Sequence, residues 1–208
     1  GAGVQLSAQH SQTFESFYAH FPGIHVVAPA TPADAKGLLK TAIRGRDPVM
    51  FLESAALYGM KGEVPEDSDF TVPFGESRIA REGADVTIVS YSRMLQLSLI
   101  VADKLSKEEQ IECEVIDLRT LRPLDLVPAY ASVAKTHRAV VVQEQWKPFG
   151  AGAEISASIT ENMFDELDAP VIRVTGEDVP MPYARNLELM ATPHEDDIAR
   201  AVKKVMYR

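Results

Sequence analysis

The sequence predicts an α/β protein built around an open, mostly parallel β-sheet. Short β-branched runs alternate with amphipathic helical segments through the second half of the chain, a pattern typical of a parallel sheet covered by helices on both faces. A strand–helix–strand unit lies near the start, and a stretch rich in proline and glycine separates it from the rest. With 208 residues, the chain is long enough for one large domain or two small ones.

The first segment is predicted to be a βαβ unit preceded by a helix. Its elements, in order, are a helix over 11–20, a strand over 24–30, a helix from 31 to about 43 and a buried strand over 49–52. Aromatic residues at spacings of three and four indicate the first helix, and β-branched runs indicate the strands. Thr31 is a typical N-cap residue, Pro32 suits the first helical turn, and Gly45 marks the helix end. Two strands joined by one helix are expected to be parallel.

Residues 55–83 are expected to connect two domains. This stretch has no strong periodicity and contains several prolines and glycines, with short strands predicted near 70–72 and 78–80. We therefore assign residues 1–54 to a first domain and residues 84–208 to a second.

The second domain repeats the alternation of strands and helices more regularly. Its predicted elements are strands over 86–89, 113–118, 139–143 and 171–174 and helices over 94–105, 126–135, 150–167 and 194–206. Apolar residues recur on one face of each helix, so these helices are expected to pack on the sheet. The alternation favours an open sheet with mostly parallel strands.

The composition argues against a nucleic-acid or membrane partner. The net charge is −9 and the sequence pI is about 5.1, so nucleic acids and acidic membrane surfaces are not expected to attract the chain. No apolar run approaches the roughly 20 residues that a membrane span needs. Cys113 is the single cysteine, which excludes an internal disulfide and favours a reducing compartment.

The densest polar cluster is the run Gln9-His10-Ser11-Gln12 near the start of the chain. Its amide and imidazole groups are suited to line a cleft, where they could bind an anionic substrate or relay a proton. The alternative is a helix cap, with Ser11 as the N-cap and His10 in solvent. The residues alone favour the cap.

Two other motifs have a structural alternative beside a functional one. The run FGAGAE has the setting of a dinucleotide fingerprint, but Ile155 stands where the third glycine belongs, which favours close helix–strand packing instead. Arg119 and Arg122 follow a strand, where they could bind a phosphate or carboxylate or else pair with Asp117 or Asp125.

Several remaining features are structural or absent. The proline-rich loop VTGEDVPMPY is interpreted as a packed or interfacial contact, as are Trp146 and Phe149. The five histidines and the one cysteine show no metal-ligand spacing, and no serine lies in a GxSxG frame.

Taken together, the segments resemble the beta subunit of the decarboxylating component of 2-oxo acid dehydrogenase complexes, a transketolase-like thiamine diphosphate family. The matching stretches are AQHSQTFESFYAHFPGIHVVAPATPADAKGLLKTAIR, DPVMFLE, LYG, VIDLRTLRPLD, FGAGAEI and VTGEDVPMPYARNLE. They cover nearly the whole chain in the family's order. The resemblance implies that 1–54 is the C-terminal part of a pyrimidine-binding domain, 55–83 a linker, and 84–208 a transketolase C-terminal-like domain.

The resemblance also changes the interpretation of His10, because the family's active-site histidine occupies this place in the motif. It implies hydrogen bonding and proton transfer around the thiamine adduct, where a 2-oxo acid is decarboxylated and the acyl group passes to a lipoyl arm. The motifs look like the pyruvate type, with acetoin and branched-chain 2-oxo acid dehydrogenases as alternatives. A further alternative is a non-catalytic assembly or docking module of the complex.

The resemblance implies cofactors and partners as well. Thiamine diphosphate and its magnesium would be held mainly by an alpha subunit and by an upstream segment that also carries the glutamate facing the aminopyrimidine ring. The chain starts at Gly1 without Met, and we expect the native N-terminus to lie elsewhere. A potassium site is implied around Ala42, Ile43 and Asp47. The expected partners are the alpha subunit in a heterotetramer, a second beta subunit and the lipoyl acyltransferase core, in the bacterial cytoplasm or the mitochondrial matrix.

Overall fold

The computed structural model describes all 208 residues and contains two β-sheets. The strands are β1 (His25–Val27), β2 (Val49–Phe51), β3 (Arg78–Arg81), β4 (Val86–Ser90), β5 (Cys113–Asp117), β6 (Thr120–Arg122), β7 (Ala139–Trp146) and β8 (Ile172–Gly176). The α-helices are α1 (Ser7–His10), α2 (Glu15–Ala19), α3 (Pro32–Arg44), α4 (Ser92–Glu109), α5 (Val127–Thr136), α6 (Ala151–Met163), α7 (Arg185–Ala191) and α8 (Glu195–Val205). Short 3₁₀ helices occupy Ala55–Leu57 and Phe164–Glu166. None of the helices combines the length and apolar character needed to cross a membrane.

The first sheet has three strands in the order β2-β1-β6. Strands β1 and β2 are parallel and are joined by α3, as predicted for the βαβ unit. The Thr31 side chain accepts a hydrogen bond from the Asp34 backbone N–H, which confirms the predicted N-cap. Strand β2 was predicted to be buried, but it is half-buried because it lies at the edge of the sheet.

Strand β6 was not predicted, and it joins the two halves of the chain. It follows β5 of the second sheet by two residues but pairs antiparallel with β1 of the first sheet. Because it is only three residues long, its sequence carries no strand periodicity. The short link from β5 to β6 holds the two sheets next to each other.

The helix predicted over 11–20 is wrong in its first half. Helix α1 ends at His10, Ser11 follows it, and α2 begins only at Glu15 with Phe14 as its N-cap. Ser11 is therefore not the N-cap of a helix, and it is buried. The aromatic spacing that suggested a long helix instead forms an edge-to-face cluster of Phe14, Phe17 and Tyr18 around α2.

The second sheet has the order β3-β5-β4-β7-β8 and confirms the predicted mostly parallel arrangement. Only β3, from the proline- and glycine-rich stretch, is antiparallel to its neighbour. The other pairs are all parallel. The strand expected near 70–72 does not form; Val72 is buried beside Gly37 of α3. The predicted helix over 150–167 ends at Met163 and continues as the second 3₁₀ turn.

Helices cover both faces of the second sheet. Val86 and Ile88 of β4 face a core formed with α4 and α8, whereas Val89 faces a core formed with α5 and α6. The second core continues into the first sheet through Val26. Because one apolar cluster contains side chains of both sheets, the two units pack as one body.

Charged side chains also cross the boundary between the two sheets. Asp34 of α3 is buried and pairs with the Arg119 Nε at 3.0 Å, and its other oxygen lies 3.4 Å from Arg78 Nη2. The same Arg78 nitrogen lies 3.1 Å from Asp117 of β5. Burial raises the pKa of Asp117 to about 6, since the nearby arginines offset only part of the desolvation and Asp34 adds repulsion.

Candidate functional site

His10 is the last residue of α1 and its side chain is exposed to solvent. The backbone leading to it has positive φ values at Gln5 and Ser7, of 56° and 63°. Non-glycine residues rarely adopt this conformation unless the surroundings hold it. The chain that leads to His10 is therefore a loop with a fixed conformation, followed by the single turn of α1.

The second domain holds this loop in place through carboxylates. Glu188 of α7 is buried, and its Oε1 accepts hydrogen bonds from the backbone N–H groups of Gly3 at 3.0 Å and Gln5 at 3.1 Å. Glu144 of β7 accepts a third hydrogen bond from the Ala2 N–H at 2.5 Å. A carboxylate that accepts several backbone N–H groups is an effective anchor for a loop.

A second set of contacts lies on the other side of His10. The Gln12 side-chain amide donates to the carbonyl of Ala8 at 2.7 Å and closes the turn around the histidine. Gln145 of β7 donates to the Thr13 carbonyl at 3.2 Å and to Ser16 Oγ at 3.1 Å. His10 thus lies between two segments whose positions are fixed by hydrogen bonds, one before it and one after it in the chain.

The residues predicted to bind potassium lie in the last turn of α3 and in the loop that follows it. Helix α3 ends with the Gly45 N–H bonded to the Thr41 carbonyl, and the next two carbonyls, of Ala42 and Ile43, have no backbone donor in the loop that follows. These carbonyls are at the negative end of the helix dipole. The Asp47 carboxylate is exposed and lies 3.5 Å from His25 Nε2.

The other sequence candidates have structural roles. The Arg119 guanidinium pairs with Asp34, and the Arg122 guanidinium donates to the Ala19 carbonyl at 2.9 Å and lines an open pocket, so neither guanidinium pairs with Asp117 or Asp125. At Gly150 and Gly152 a side chain would collide with Gln143, which confirms close packing. No group of three His, Cys, Asp or Glu side chains is placed to hold a metal ion.

The proline-rich loop packs within the chain. Met181 of the VTGEDVPMPY run is buried in a small cluster with Ala2 and Ala191. The Trp146 ring N–H donates to the Val179 carbonyl at 2.9 Å. The loop therefore serves as part of the support for the segment that carries His10.

The anchors of this segment were not found from the sequence. Glu144, Gln145 and Glu188 lie far along the chain from His10 and belong to no recognisable motif. The burial of Glu188 appears only when α7 packs in the folded chain, so the sequence gives no signal for this anchor.

These features define an α/β protein with a small βαβ unit that presents a histidine loop and a larger parallel-sheet domain that supports it. Comparison with known protein families agrees with this division into two units. The model described as "Transketolase, C-terminal domain" matches residues 75–198, and "Transketolase, pyrimidine binding domain" matches residues 1–61. The chain belongs to the transketolase family.

Proteins with similar sequences indicate a more specific group within this family. The chain is 52% identical to "Pyruvate dehydrogenase E1 component subunit beta-2, mitochondrial" of Oryza sativa, over all of this chain and 56% of the relative. It is 49% identical to the beta subunits of the same component from Rickettsia felis and Mus musculus, covering 100% and 99% of this chain and 63% and 58% of those relatives. The chain therefore spans little more than half the length of these relatives.

Solved structures confirm the predicted fold class, a partial pyrimidine-binding domain followed by a transketolase C-terminal-like domain. A structure titled "Split gene transketolase, inactive beta4 tetramer" matches with a TM-score of 0.74 and 26% identity, over 96% of this chain and 63% of that one. A transketolase from Pichia stipitis matches with a TM-score of 0.63 and 15% identity, over 97% and 28%. The second match supports the fold alone.

Proposed function

We propose that the chain is part of the beta subunit of a thiamine-diphosphate-dependent pyruvate dehydrogenase component. This component decarboxylates pyruvate and transfers the acetyl group to the lipoyl group of an acyltransferase. The observation that carries the proposal is the identity of about one half to beta subunits of that name over essentially the whole chain. The exposed histidine of the AQHSQ motif supports it, since a catalytic imidazole must reach its substrate.

His10 is the residue proposed to act in catalysis. An exposed imidazole on an anchored loop can donate a hydrogen bond to a substrate carboxylate and pass a proton to a leaving or attacking group. The hydrogen bonds from Gly3 and Gln5 to Glu188 fix the approach to the loop, which limits the entropy lost when the imidazole meets its target. The protein's contribution is thus a positioned proton donor and acceptor.

Thiamine diphosphate, when bound, supplies the electron sink for decarboxylation. The exposed His10 fits one wall of such a cofactor cleft. The chain offers no cluster for magnesium, and we assign the metal and the diphosphate to an alpha subunit and an upstream segment, as the family resemblance implies. The residues described here then orient the reacting groups and move protons.

We propose a potassium ion at the end of α3. The unbonded carbonyls of Ala42 and Ile43 supply oxygen ligands at the negative end of the helix dipole. The Asp47 carboxylate is the third proposed ligand and would turn from His25 towards the ion.

The proposed partners follow from the relatives. We expect an alpha subunit and a second beta subunit in a heterotetramer, and a lipoyl acyltransferase that accepts the acetyl group. Relatives include proteins named as mitochondrial and proteins from bacteria. We propose the mitochondrial matrix or the bacterial cytoplasm as the compartment.

A role in assembly is the second candidate function. The second domain exposes large apolar side chains, with Phe149 93% exposed and Phe164 and Val127 each 72% exposed. We propose that a partner subunit covers these side chains in the assembly. This role is compatible with catalysis by the assembled component and would be the only role of a chain that lacks catalytic activity.

Reconstitution tests the catalytic proposal. The complete beta subunit is combined with an alpha subunit, thiamine diphosphate, magnesium and pyruvate, and lipoyl acetylation is followed. His10→Ala is expected to lower the rate at least about 100-fold, the usual contribution of an acid–base group. His20→Ala is the matched control, because His20 is also an exposed histidine of the same segment. If both variants assemble and turn over at the same rate, His10 is not catalytic.

A further inference from the structure

An open pocket of about 1050 Å³ lies between the first domain and helix α6. Its walls come from the end of α2, the segment that leads into β1, the stretch that includes and follows β6, and the first turn of α6. All of the lining residues lie between positions 16 and 155, away from both ends of the chain. The volume is at the upper end of the range for small-molecule sites, so the pocket is large enough for an organic ligand.

One guanidinium in this pocket has no acidic partner. Arg122, the last residue of β6, is half-buried and lines the pocket. Its Nη1 donates to the Ala19 carbonyl at 2.9 Å, but no carboxylate oxygen lies within 4.0 Å of its nitrogens. Other half-buried arginines do have a carboxylate at this distance, namely Arg78, Arg81, Arg93, Arg119 and Arg138. A charge that is partly removed from water is costly unless an opposite charge pairs with it, and an anion in the pocket would supply that charge.

The remaining N–H groups of Arg122 can be reached by a ligand. Its Nε and Nη2 make no hydrogen bond within the chain, and neither atom is shielded from solvent in the way that the Nε atoms of Arg78, Arg119 and Arg138 are. A guanidinium holds its donors in one plane, and this arrangement matches the two oxygens of a carboxylate. Arg122 is therefore able to make two parallel hydrogen bonds to a carboxylate that enters the pocket.

The acids in the wall decide which kind of anion fits. Asp47 and Glu154 both line the pocket, and each has a partner other than Arg122. Asp47 lies 3.5 Å from His25 Nε2, and Glu154 accepts a hydrogen bond from the Ser158 hydroxyl at 3.3 Å. Their negative charges repel a dianion such as phosphate more strongly than a singly charged carboxylate. The pocket is therefore better suited to a monocarboxylate than to a phosphate.

We propose that this pocket binds the carboxylate of an organic anion, with the Arg122 guanidinium as its donor. Ile24 and Leu124 are half-buried in the wall and offer apolar surface to the carbon chain attached to the carboxylate. The carboxylate belongs either to a small organic acid or to an acidic side chain of the partner subunit that covers Phe149, which also lines the pocket. The second source rests on the assembly proposed above, whereas the first does not.

Saturation-transfer NMR with sodium benzoate as the probe tests the proposal on the full-length protein at constant ionic strength. We expect saturable binding to the wild type. Arg122→Gln keeps a donor for the Ala19 carbonyl but loses the charge and the paired donors, so it should weaken binding at least about tenfold. Arg173→Gln is the matched control and should leave binding unchanged. Arg173 is also half-buried, has no acidic partner and donates to a backbone carbonyl, that of Lys147, but it lies outside the pocket.

Two further probes test the same site in the unmodified protein, so the proposal does not depend on the folding of a variant. Benzamide has nearly the shape of benzoate but no charge, and it should bind at least about tenfold more weakly. Phosphate at the same concentration as benzoate should not displace it. Because the chain carries a net charge of −9, general attraction of anions is not expected to imitate the site. Equal binding of benzoate and benzamide, or displacement of benzoate by phosphate, overturns the proposal.

Comparison of the full-length protein alone with the same protein assembled with its alpha partner separates the two sources of the carboxylate. Binding of benzoate to the assembled form assigns the site to a free acid, and binding to the unassembled form alone assigns it to an acidic side chain of the partner. Binding to neither form overturns the proposal, and so does equal binding to Arg122→Gln and Arg173→Gln. None of these measurements depends on pyruvate turnover, so a failure here is distinguishable from a failure of the proposed function.

Discussion

Glu188 is the residue on which the position of the His10 loop should depend most. Its Oε1 accepts two backbone hydrogen bonds, from Gly3 and Gln5, and the side chain is buried. A hydrogen bond to a charged group contributes about 1.5 kcal/mol or more to stability. Glu188→Ala removes both bonds and is expected to lower the free energy of unfolding of this segment by about 3 kcal/mol.

Native-state hydrogen exchange measures this effect where it occurs. A loss of about 3 kcal/mol corresponds to an increase of about 100-fold in the exchange rates of the Gly3 and Gln5 amides. Under the proposed function, the same variant should slow lipoyl acetylation by the assembled component, since the loop would no longer hold His10 in one position. Urea unfolding reports whether the rest of the domain is affected.

Two controls make the Glu188 test specific. Glu188→Gln keeps an oxygen that can accept both hydrogen bonds and should lose only about 1 kcal/mol, the part due to charge. Asn186→Ala changes an exposed residue of the same helix and should leave exchange unchanged. If Glu188→Ala leaves the Gly3 and Gln5 amides protected as before, the loop is held by something other than this carboxylate.

Two further predictions concern the junction and the first domain. Burial raises the pKa of Asp117 from 3.8 to about 6, so its contribution to stability is fully present below pH 3.8 and is lost as the pH rises through about 6. The free energy of unfolding of Asp117→Asn should therefore increase by about 3 kcal/mol relative to that of the wild type between pH 4 and pH 7. Urea unfolding measures this difference, and a difference that stays constant with pH would contradict the shift. Gly37→Ala should destabilise by about 2 kcal/mol, because its methyl group would lie 2.5 Å from Val72 Cγ2 and 2.9 Å from the Val72 nitrogen. Gly59→Ala, which meets no atom within 4 Å, should change the thermal midpoint little, and equal effects of the two alanines would refute the packing argument.

The regular elements of the second domain could be predicted because their sequences are periodic. Strand β4 is fully buried and reads as a continuous β-branched run, and α4 and α8 have apolar residues on one face. The short elements could not be predicted. Strand β6 has three residues and α1 has four, too few for a period to appear, and their conformations depend on partners from other parts of the chain.

The motif that contains His10 could be identified from the sequence, but its geometry could not. The aromatic spacing after it suggested a helix from Ser11, whereas the chain turns there and begins α2 only at Glu15. Gln145 of β7 bonds the Thr13 carbonyl and so takes part in this turn. A contact across 132 positions leaves no local trace in the sequence.

By itself, the sequence determined the α/β class, the parallel order implied by the βαβ unit, and the motif that carries the histidine. These follow from local rules, namely side-chain periodicity, capping and the handedness of strand connections. Only the tertiary structure decided that β6 crosses to the first sheet and that Glu188 and Glu144 hold the opening loop. Each of these depends on pairs of residues distant along the chain, whose contacts are fixed by packing of the whole protein.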